Sequence, residues 1–140
     1  MLGTAKETGL DPGELMIVVI DDNPHSLEYV SNVLAHEGVR ILTAANAEDG
    51  LALIHAHRPQ IVLTDIAMPG QSGLDVLQQV AKFDSTIQVI VMSARDSGVS
   101  AVTALQLGAA DYLRKPIALS VLRERVGRFI KALNAKRSCS

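Results

Sequence analysis

The chain of 140 residues contains no tryptophan, and aromatic residues make up only 3% of it. Single-stranded nucleic acid is usually bound by stacking bases on aromatic side chains, so we expect no direct nucleic-acid binding by this domain. The single cysteine, Cys139, excludes an internal disulfide and fits a reducing compartment. No apolar run approaches the roughly 20 residues that a membrane span needs, and no signal-peptide pattern opens the chain. We therefore expect a cytoplasmic protein that does not bind a membrane.

Hydrophobic residues are abundant, at 48%, so a chain of this length can bury a full-sized core as one domain. Charge is distributed unevenly: 14 of the 15 acidic residues precede residue 114, and 8 of the 13 basic residues follow residue 113. The basic C-terminal segment is either a contact for an acidic partner or output module, or a solvated helix face. The sequence leaves both interpretations open.

Short strand-like runs, most of them β-branched, alternate with amphipathic segments five times along the chain. We predict strands over Met16–Ile20, 39–43, 61–64, 87–92 and 111–114, and helices over 24–37, 46–57, from 72 onward, 97–107 and 118–133. This (βα)5 pattern predicts an α/β fold, a doubly wound three-layer sandwich whose parallel five-stranded sheet has the flavodoxin-like order 2-1-3-4-5. The domain is expected over 15–133, after a flexible leader at 1–14 and before a basic tail or truncated linker at 134–140.

Local signals mark the helix ends. Pro24 suits a first helical turn, Gly38 suits a stop, Asn46 and Asp49 resemble a capping pair, and Ser72 is placed to cap the third helix. The last helix has apolar residues at helical spacing, which we expect to face inward: Leu119, Leu122, Val126, Phe129, Ile130 and Leu133.

Carboxylates follow two of the predicted strands. Asp21 and Asp22 come directly after strand 1, and Asp65 ends strand 3, where Pro69 and Gly70 turn the chain. Ligands bind at the carboxyl edge of such a sheet, and in the order 2-1-3-4-5 strands 1 and 3 are neighbours at its switch point. Three clustered carboxylates repel one another, and oxygen-ligated Mg²⁺ would relieve this repulsion.

Ser93 and Lys115 follow strands 4 and 5 and add a hydroxyl and a fixed positive charge. A cation, a lysine and a hydroxyl around a carboxylate meet the demands of phosphoryl transfer, in which an aspartate can be the nucleophile. Asp65 is the best candidate because it stands alone on the central strand. The four histidines fall on predicted helices and are interpreted as ordinary surface or boundary residues: His25, His36, His55 and His57.

The sequence resembles a response-regulator receiver domain of two-component signal transduction over nearly its whole length. The matching stretches are Val19-Ile20-Asp21-Asp22, Leu63-Thr64-Asp65-Ile66-Ala67-Met68-Pro69, Val91-Met92-Ser93-Ala94 and Gly108-Ala109-Ala110-Asp111-Tyr112-Leu113-Arg114-Lys115-Pro116. The resemblance implies a phosphorylation-dependent switch that catalyses only its own Mg²⁺-dependent phosphorylation and dephosphorylation.

By the same resemblance, Asp65 would accept a phosphoryl group from a sensor histidine kinase or a histidine phosphotransfer protein. Asp22, Asp65 and the backbone carbonyl of Ala67 would bind Mg²⁺, and Asp21 would act through water. Lys115 and Ser93 would each contact a phosphate oxygen, and the Lys115–Pro116 bond would be cis. Tyr112 matches the switch aromatic, although a half-buried strand aromatic without a switching role would look the same.

Phosphorylation would draw Ser93 and Lys115 toward the new charge and shift the face made by helix 4, strand 5 and helix 5. We predict that this face carries the output contact, with homodimerisation as one form of it, and that the basic residues of helix 5 lie there: Arg123, Arg125, Arg128 and Lys131. A C-terminal effector domain in a longer protein is a further expected partner.

Ala67 and Arg95 stand at positions that, by the resemblance, tune hydrolysis of the acyl phosphate.

Three other functions are alternatives to a phosphorylated receiver domain. A phosphohydrolase of the haloacid-dehalogenase type would need an acid at position 67, which holds alanine. A flavodoxin-like FMN carrier would need a Ser/Thr/Gly-rich loop after strand 1, where Asp21 and Asp22 stand. A degenerate receiver that works unphosphorylated would not require all five site residues, and all five are present.

Overall fold

Ten helices and strands alternate along the part of the chain that the structure describes. The computed structural model of this chain describes residues 14–94 and 101–139. The elements are β1 Met16–Ile20, α1 Pro24–Ala35, β2 Arg40–Ala44, α2 Ala47–His57, β3 Ile61–Asp65, α3 Gly73–Phe83, β4 Gln88–Ser93, α4 Ala101–Gln106, β5 Asp111–Arg114 and α5 Leu119–Cys139. The predicted start of helix 4 lies outside the described residues, as does the predicted leader except for its last residue.

All five strands pair in parallel, in the order β2-β1-β3-β4-β5. The order and the alternation confirm the predicted doubly wound fold. The register aligns Ile20 of β1 with Thr64 of β3, and Asp65 of β3 with Met92 of β4. Because the strands are parallel and in register, the residues that follow β1, β3, β4 and β5 all emerge at the same edge of the sheet.

The sheet separates two hydrophobic cores, which makes the three layers. Alternate residues of each strand point to opposite faces, so Ile17 and Leu63 pack with α1 and α5, whereas Val18 and Val62 pack with α2 and α3. Every residue of β1 and β3 is buried, as expected for central strands covered on both faces. Within residues 14–94 and 101–139, no helix has the length and apolar content to cross a membrane.

The helix caps predicted at Asn46 and Ser72 are confirmed, and the structure adds a third cap, Asn23, that was not predicted. The Asn23 side chain accepts hydrogen bonds from the backbone N–H groups of His25 and Ser26 at the start of α1. Asn46 accepts from the N–H of Asp49. Ser72 forms a reciprocal capping box with Asp75 at the start of α3. These bonds satisfy backbone N–H donors that a helix start leaves unpaired, and they fix the residue at which each helix begins.

Two predicted helix ends differ from the structure by two or more residues, and several other predicted boundaries differ by one residue. Helix α1 ends at Ala35, two residues before the predicted end. Helix α5 runs to Cys139, so most of the segment expected as an unstructured tail is helical. The segment 134–139 holds no glycine or proline that would stop a helix. Leu119, expected to face inward, is 47% exposed because it is the first residue of α5 and lies outside the packed stretch.

The turn between α3 and β4 depends on an ionised carboxylate. The Thr86 hydroxyl and backbone N–H donate to Oδ1 of Asp84 at 2.6 and 3.0 Å, and these bonds hold the pKa of Asp84 below its ordinary value of 3.8. A depressed folded-state pKa contributes stability above the unfolded pKa, and this contribution is lost as pH falls through the folded value. Asp84→Asn should therefore destabilise the fold at pH 7 but progressively less as pH falls below 3.8.

Urea unfolding of wild type and Asp84→Asn between pH 7 and pH 3 checks this expectation. Glu28→Gln is the matched control, since Glu28 is an exposed carboxylate on α1. A stability difference between wild type and Asp84→Asn that stays constant over this pH range would contradict the assigned role of the charge.

Candidate functional site

Three acidic side chains meet at the carboxyl edge of the sheet. Asp21 and Asp22 follow β1, and Asp65 is the last residue of β3. One carboxylate oxygen from each lies within 4.8 Å of the others. Asp21 is fully buried and Asp65 is 6% exposed, whereas Asp22 is exposed. The cluster therefore has a buried floor and one solvent-facing member.

Lys115 inserts between the two buried carboxylates. Its Nζ donates to Oδ2 of Asp21 at 2.6 Å and lies 3.3 Å from Oδ2 of Asp65. Its backbone N–H donates to the Ser93 carbonyl at 2.8 Å, which fixes the end of β5 to the end of β4. The Lys115–Pro116 peptide bond is cis, as the resemblance predicts. The Lys115 ammonium supplies a positive charge beside the two buried carboxylates of the cluster.

Burial raises the pKa of Asp65, and the negative charges of Asp21 and Asp22 raise it further, while the Lys115 ammonium opposes both effects. The ionised form of Asp65 is thus held in a site that disfavours it. The other carboxylate oxygen of Asp21, Oδ1, accepts a hydrogen bond from the Asn23 N–H at 3.0 Å, so Asp21 is held on both sides. The negative charge of the cluster is only partly offset by Lys115.

Of the other predicted site residues, the structure describes Ser93, Ala67 and Tyr112. Ser93 is fully buried at the end of β4, and its hydroxyl donates to the Ala94 carbonyl at 3.0 Å. Ala67 is exposed in the loop after β3. Tyr112 is half-buried on β5 and packs against the core beneath α2 and α3. Arg95 lies outside the described residues.

Sequence reasoning missed one residue that shapes the site. Gly73 begins α3, and its N–H donates to the Ile66 carbonyl at 2.9 Å. A Cβ atom at this position would overlap the carbonyl oxygen of Asp65 and lie 2.9 Å from Cα of Ile66. The glycine allows α3 to approach the backbone of Asp65 closely. Gly70, three residues earlier, has a φ of 83°, a left-handed conformation that by itself explains a glycine at that position. The sequence alone does not distinguish a glycine required for backbone conformation, such as Gly70, from one required for close packing, such as Gly73.

The basic residues of α5 do not share one face, contrary to the prediction. Arg125 donates to Asp111 of β5 at 2.8 and 2.9 Å. Arg123 instead lies 3.9 Å from Glu37, just after α1, and lines a groove there with Arg128 and Lys131. At about 100° per residue, positions 123 and 125 point to different sides of a helix. Only Arg125 is directed toward β5.

The donor set of the cluster fits Mg²⁺. All three candidate ligand groups are carboxylates, with no sulfur or imidazole among them. Hard oxygen donors that are partly solvent-exposed suit a cation that keeps several waters. The raised pKa of Asp65 gives an independent reason, since a nearby cation would favour the ionised form that burial disfavours.

Comparison with known proteins identifies relatives of this chain. The family model described as the response regulator receiver domain matches residues 17–127. Protein PilH of Pseudomonas aeruginosa is 36% identical over 103 residues, which cover 72% of this chain and 85% of that protein. The probable transcriptional regulatory protein TcrX of Mycobacterium tuberculosis is 33% identical over 117 residues, which cover 82% of this chain. The chain spans about half the length of TcrX and of the transcriptional regulatory protein AfsQ1 of Streptomyces coelicolor.

Solved structures show the same architecture. The signal receiver domain of a putative LuxO repressor protein from Vibrio parahaemolyticus superimposes with a TM-score of 0.82 at 25% identity, covering 91% of this chain and 98% of that one. A response regulator receiver domain protein from Clostridium thermocellum gives a TM-score of 0.79 at 30% identity, over 90% of this chain and 99% of its own.

Proposed function

Because this chain belongs to the response regulator receiver family, we propose that it is a phosphorylation-dependent switch that accepts a phosphoryl group on Asp65. The observation that carries this proposal is the placement of the Lys115 ammonium 2.6 Å from Asp21 and 3.3 Å from Asp65, within a cluster of three carboxylates at one edge of the sheet. This arrangement is suited to neutralising charge around a phosphoryl group.

In the proposed reaction, a carboxylate oxygen of Asp65 attacks the phosphorus of a phosphohistidine on a sensor kinase or a phosphotransfer protein. The phosphorus–nitrogen bond breaks, and the imidazole leaves with its electron pair. Mg²⁺, held by Asp22, Asp65 and the Ala67 carbonyl with Asp21 through water, would supply charge neutralisation on the phosphoryl oxygens. Lys115 neutralises a further oxygen. On this proposal the chain catalyses only its own phosphorylation and dephosphorylation.

The switch is proposed to work through the two groups that border Asp65. A phosphoryl group adds charge and three strong acceptors. It would draw the Ser93 hydroxyl away from the Ala94 carbonyl and give Lys115 a new partner besides Asp21. The backbone bond from Lys115 to Ser93 couples the ends of β4 and β5, so the two strand ends would move together, and Tyr112 on β5 would follow.

The output surface is proposed to be the face formed by α4, β5 and α5, with homodimerisation as one form of output. Large hydrophobic side chains are exposed on both of its helices: Val102 is 63%, Leu105 is 49% and Val121 is 38% exposed. Apolar exposure of this kind favours a protein contact. Arg125 and its partner Asp111 would lie on this face, while Arg123 would not.

The wider setting of this domain is also a proposal. We place it in the cytoplasm, where a sensor kinase would meet it. The chain spans about half the length of the transcriptional regulators TcrX and AfsQ1 and 85% of PilH. The longer relatives support a C-terminal effector domain, and the shorter one supports a free-standing receiver. The family match over 17–127 supports a receiver domain within the predicted bounds 15–133.

Phosphorylation by a small donor tests the proposal without the natural kinase. Incubation of the chain with acetyl phosphate and Mg²⁺ should add about 80 Da to its intact mass, the increment of one phosphoryl group. The adduct should be absent from Asp65→Asn and should fail to form when the metal is chelated. A wild-type chain that gains no mass would favour the degenerate receiver and contradict the proposal.

A further inference from the structure

The side chain of Tyr29 links helix α1 to the loop that carries Lys115. Tyr29 on α1 donates its phenolic hydroxyl to the backbone carbonyl of Ile117 at 2.9 Å, across 88 residues of sequence. Ile117 follows Lys115 by two residues, and its side chain is 9% exposed. Tyr29, Lys115 and Ile117 line the same groove of about 680 Å³ beside the acidic cluster.

The two ends of this connection both lead to the site. Helix α1 begins just after the acids of β1, and its cap residue Asn23 donates its N–H to Asp21 at 3.0 Å. On the other side, Lys115 is held by its N–H bond to the Ser93 carbonyl. The next residue, Pro116, has no N–H and so cannot add a backbone donor to this loop. The Tyr29 hydroxyl supplies a hydrogen bond that holds the loop beyond the proline against α1, in addition to the burial of Ile117 in the core that contains Val30 of α1.

We propose that Tyr29 is a positioning residue for the phosphorylation reaction: its hydrogen bond to the Ile117 carbonyl holds the Lys115 ammonium at the Asp21–Asp65 pair. This inference rests on the proposed function, because it assigns Tyr29 to the same site through Lys115. Tyr29 touches neither the carboxylates nor the phosphoryl group on this account. Tyr29 is 39% exposed, which places this residue at the rim of the site rather than in the core.

The test removes the hydroxyl and keeps the ring. Tyr29→Phe should lower the maximal rate of phosphorylation, at saturating acetyl phosphate and Mg²⁺, by about three- to tenfold, the range expected for one net hydrogen bond that aligns a reacting group. The Mg²⁺ concentration for half-maximal rate should stay within about twofold, because the carboxylates are untouched. Ser31→Ala is the matched control: it deletes a buried hydroxyl of the same helix that has no hydrogen-bond partner among the described residues, and it should leave the rate unchanged.

Amide hydrogen exchange separates positioning from a general loss of structure. Tyr29→Phe should accelerate exchange of the Lys115 N–H, which is bonded to Ser93, while the N–H of Leu63 in the central strand keeps its wild-type rate. A wild-type rate in Tyr29→Phe, or an equal acceleration at Lys115 and Leu63, overturns the inference. A wild-type chain that is not phosphorylated at all overturns the proposed function instead, so the two failures are distinguishable.

Discussion

Replacing Lys115 with methionine is expected to lower the free energy of unfolding by about 3 kcal/mol at pH 7 in Mg²⁺-free buffer, because removal of one partner strands a buried charge. Asp21 is fully buried and loses the ammonium at 2.6 Å, and Asp65 loses the same group at 3.3 Å. This expected loss of unfolding free energy lies at the low end of the range for a broken buried ion pair, because the Asn23 N–H still donates to Asp21.

Urea unfolding with and without Mg²⁺ measures this effect. The same concentration of Mg²⁺ should stabilise Lys115→Met more than wild type, because Lys115 competes for the carboxylates that would hold the cation; a ligand at 100 times its dissociation constant contributes about 2.7 kcal/mol. Lys82→Met is the control, since Lys82 is exposed on α3 away from the cluster. Equal stability losses in the two variants would show that Lys115 does not compensate the buried acids.

Replacing Gly73 with alanine is expected to destabilise the fold by about 3 kcal/mol, the upper range for overpacking, and to abolish phosphorylation. The added methyl group would overlap the carbonyl oxygen of Asp65. Backbone atoms cannot rotate away as a flexible side chain can, so either α3 shifts outward or the end of β3 moves. Both movements displace the Asp65 carboxylate and the loop that contains Ala67, and a misplacement of about 1 Å is enough to cost a large part of a rate.

Gly127→Ala is the matched control for this substitution. Gly127 lies within α5, and apart from its chain neighbours and the backbone of its own helix, a Cβ atom there would meet no atom of the described residues within 4 Å. In a helix interior the same change should stabilise by about 0.5–1 kcal/mol, because alanine loses less conformational freedom on folding. Thermal unfolding and the acetyl phosphate assay report on both variants. Full phosphorylation of Gly73→Ala with an unchanged unfolding temperature would contradict the close approach of α3 to β3.

The fold could be predicted because its signals are local. Each buried central strand is a short β-branched run, and each predicted cap is a side chain two or three residues from the donor it satisfies, as Asn46 and Ser72 show. The position of Asp65 at a strand end followed from the same signals, and the sheet order then placed strands 1 and 3 side by side. Acidic residues at neighbouring strand ends could therefore be expected to meet.

The features that were missed depend on contacts between distant parts of the chain. The Tyr29–Ile117 bond spans 88 residues, and nothing in the sequence around Tyr29 distinguishes it from a surface tyrosine. Gly73 appears in sequence as one more turn glycine, and only the packing of α3 against β3 explains it. The length of α5 was underestimated because its apolar period ends at Leu133, while its helix-forming residues continue to Cys139.

The central claim is that Asp65, among all the acids of this chain, receives the phosphoryl group. Borohydride reduction of the chain after reaction with acetyl phosphate and Mg²⁺ converts an aspartyl phosphate to homoserine, which fragmentation of the tryptic peptides 7–40 and 41–82 locates. The account predicts homoserine at position 65 alone. Homoserine at position 21, 22, 49 or 75 instead, or an adduct that borohydride leaves unchanged, would contradict it.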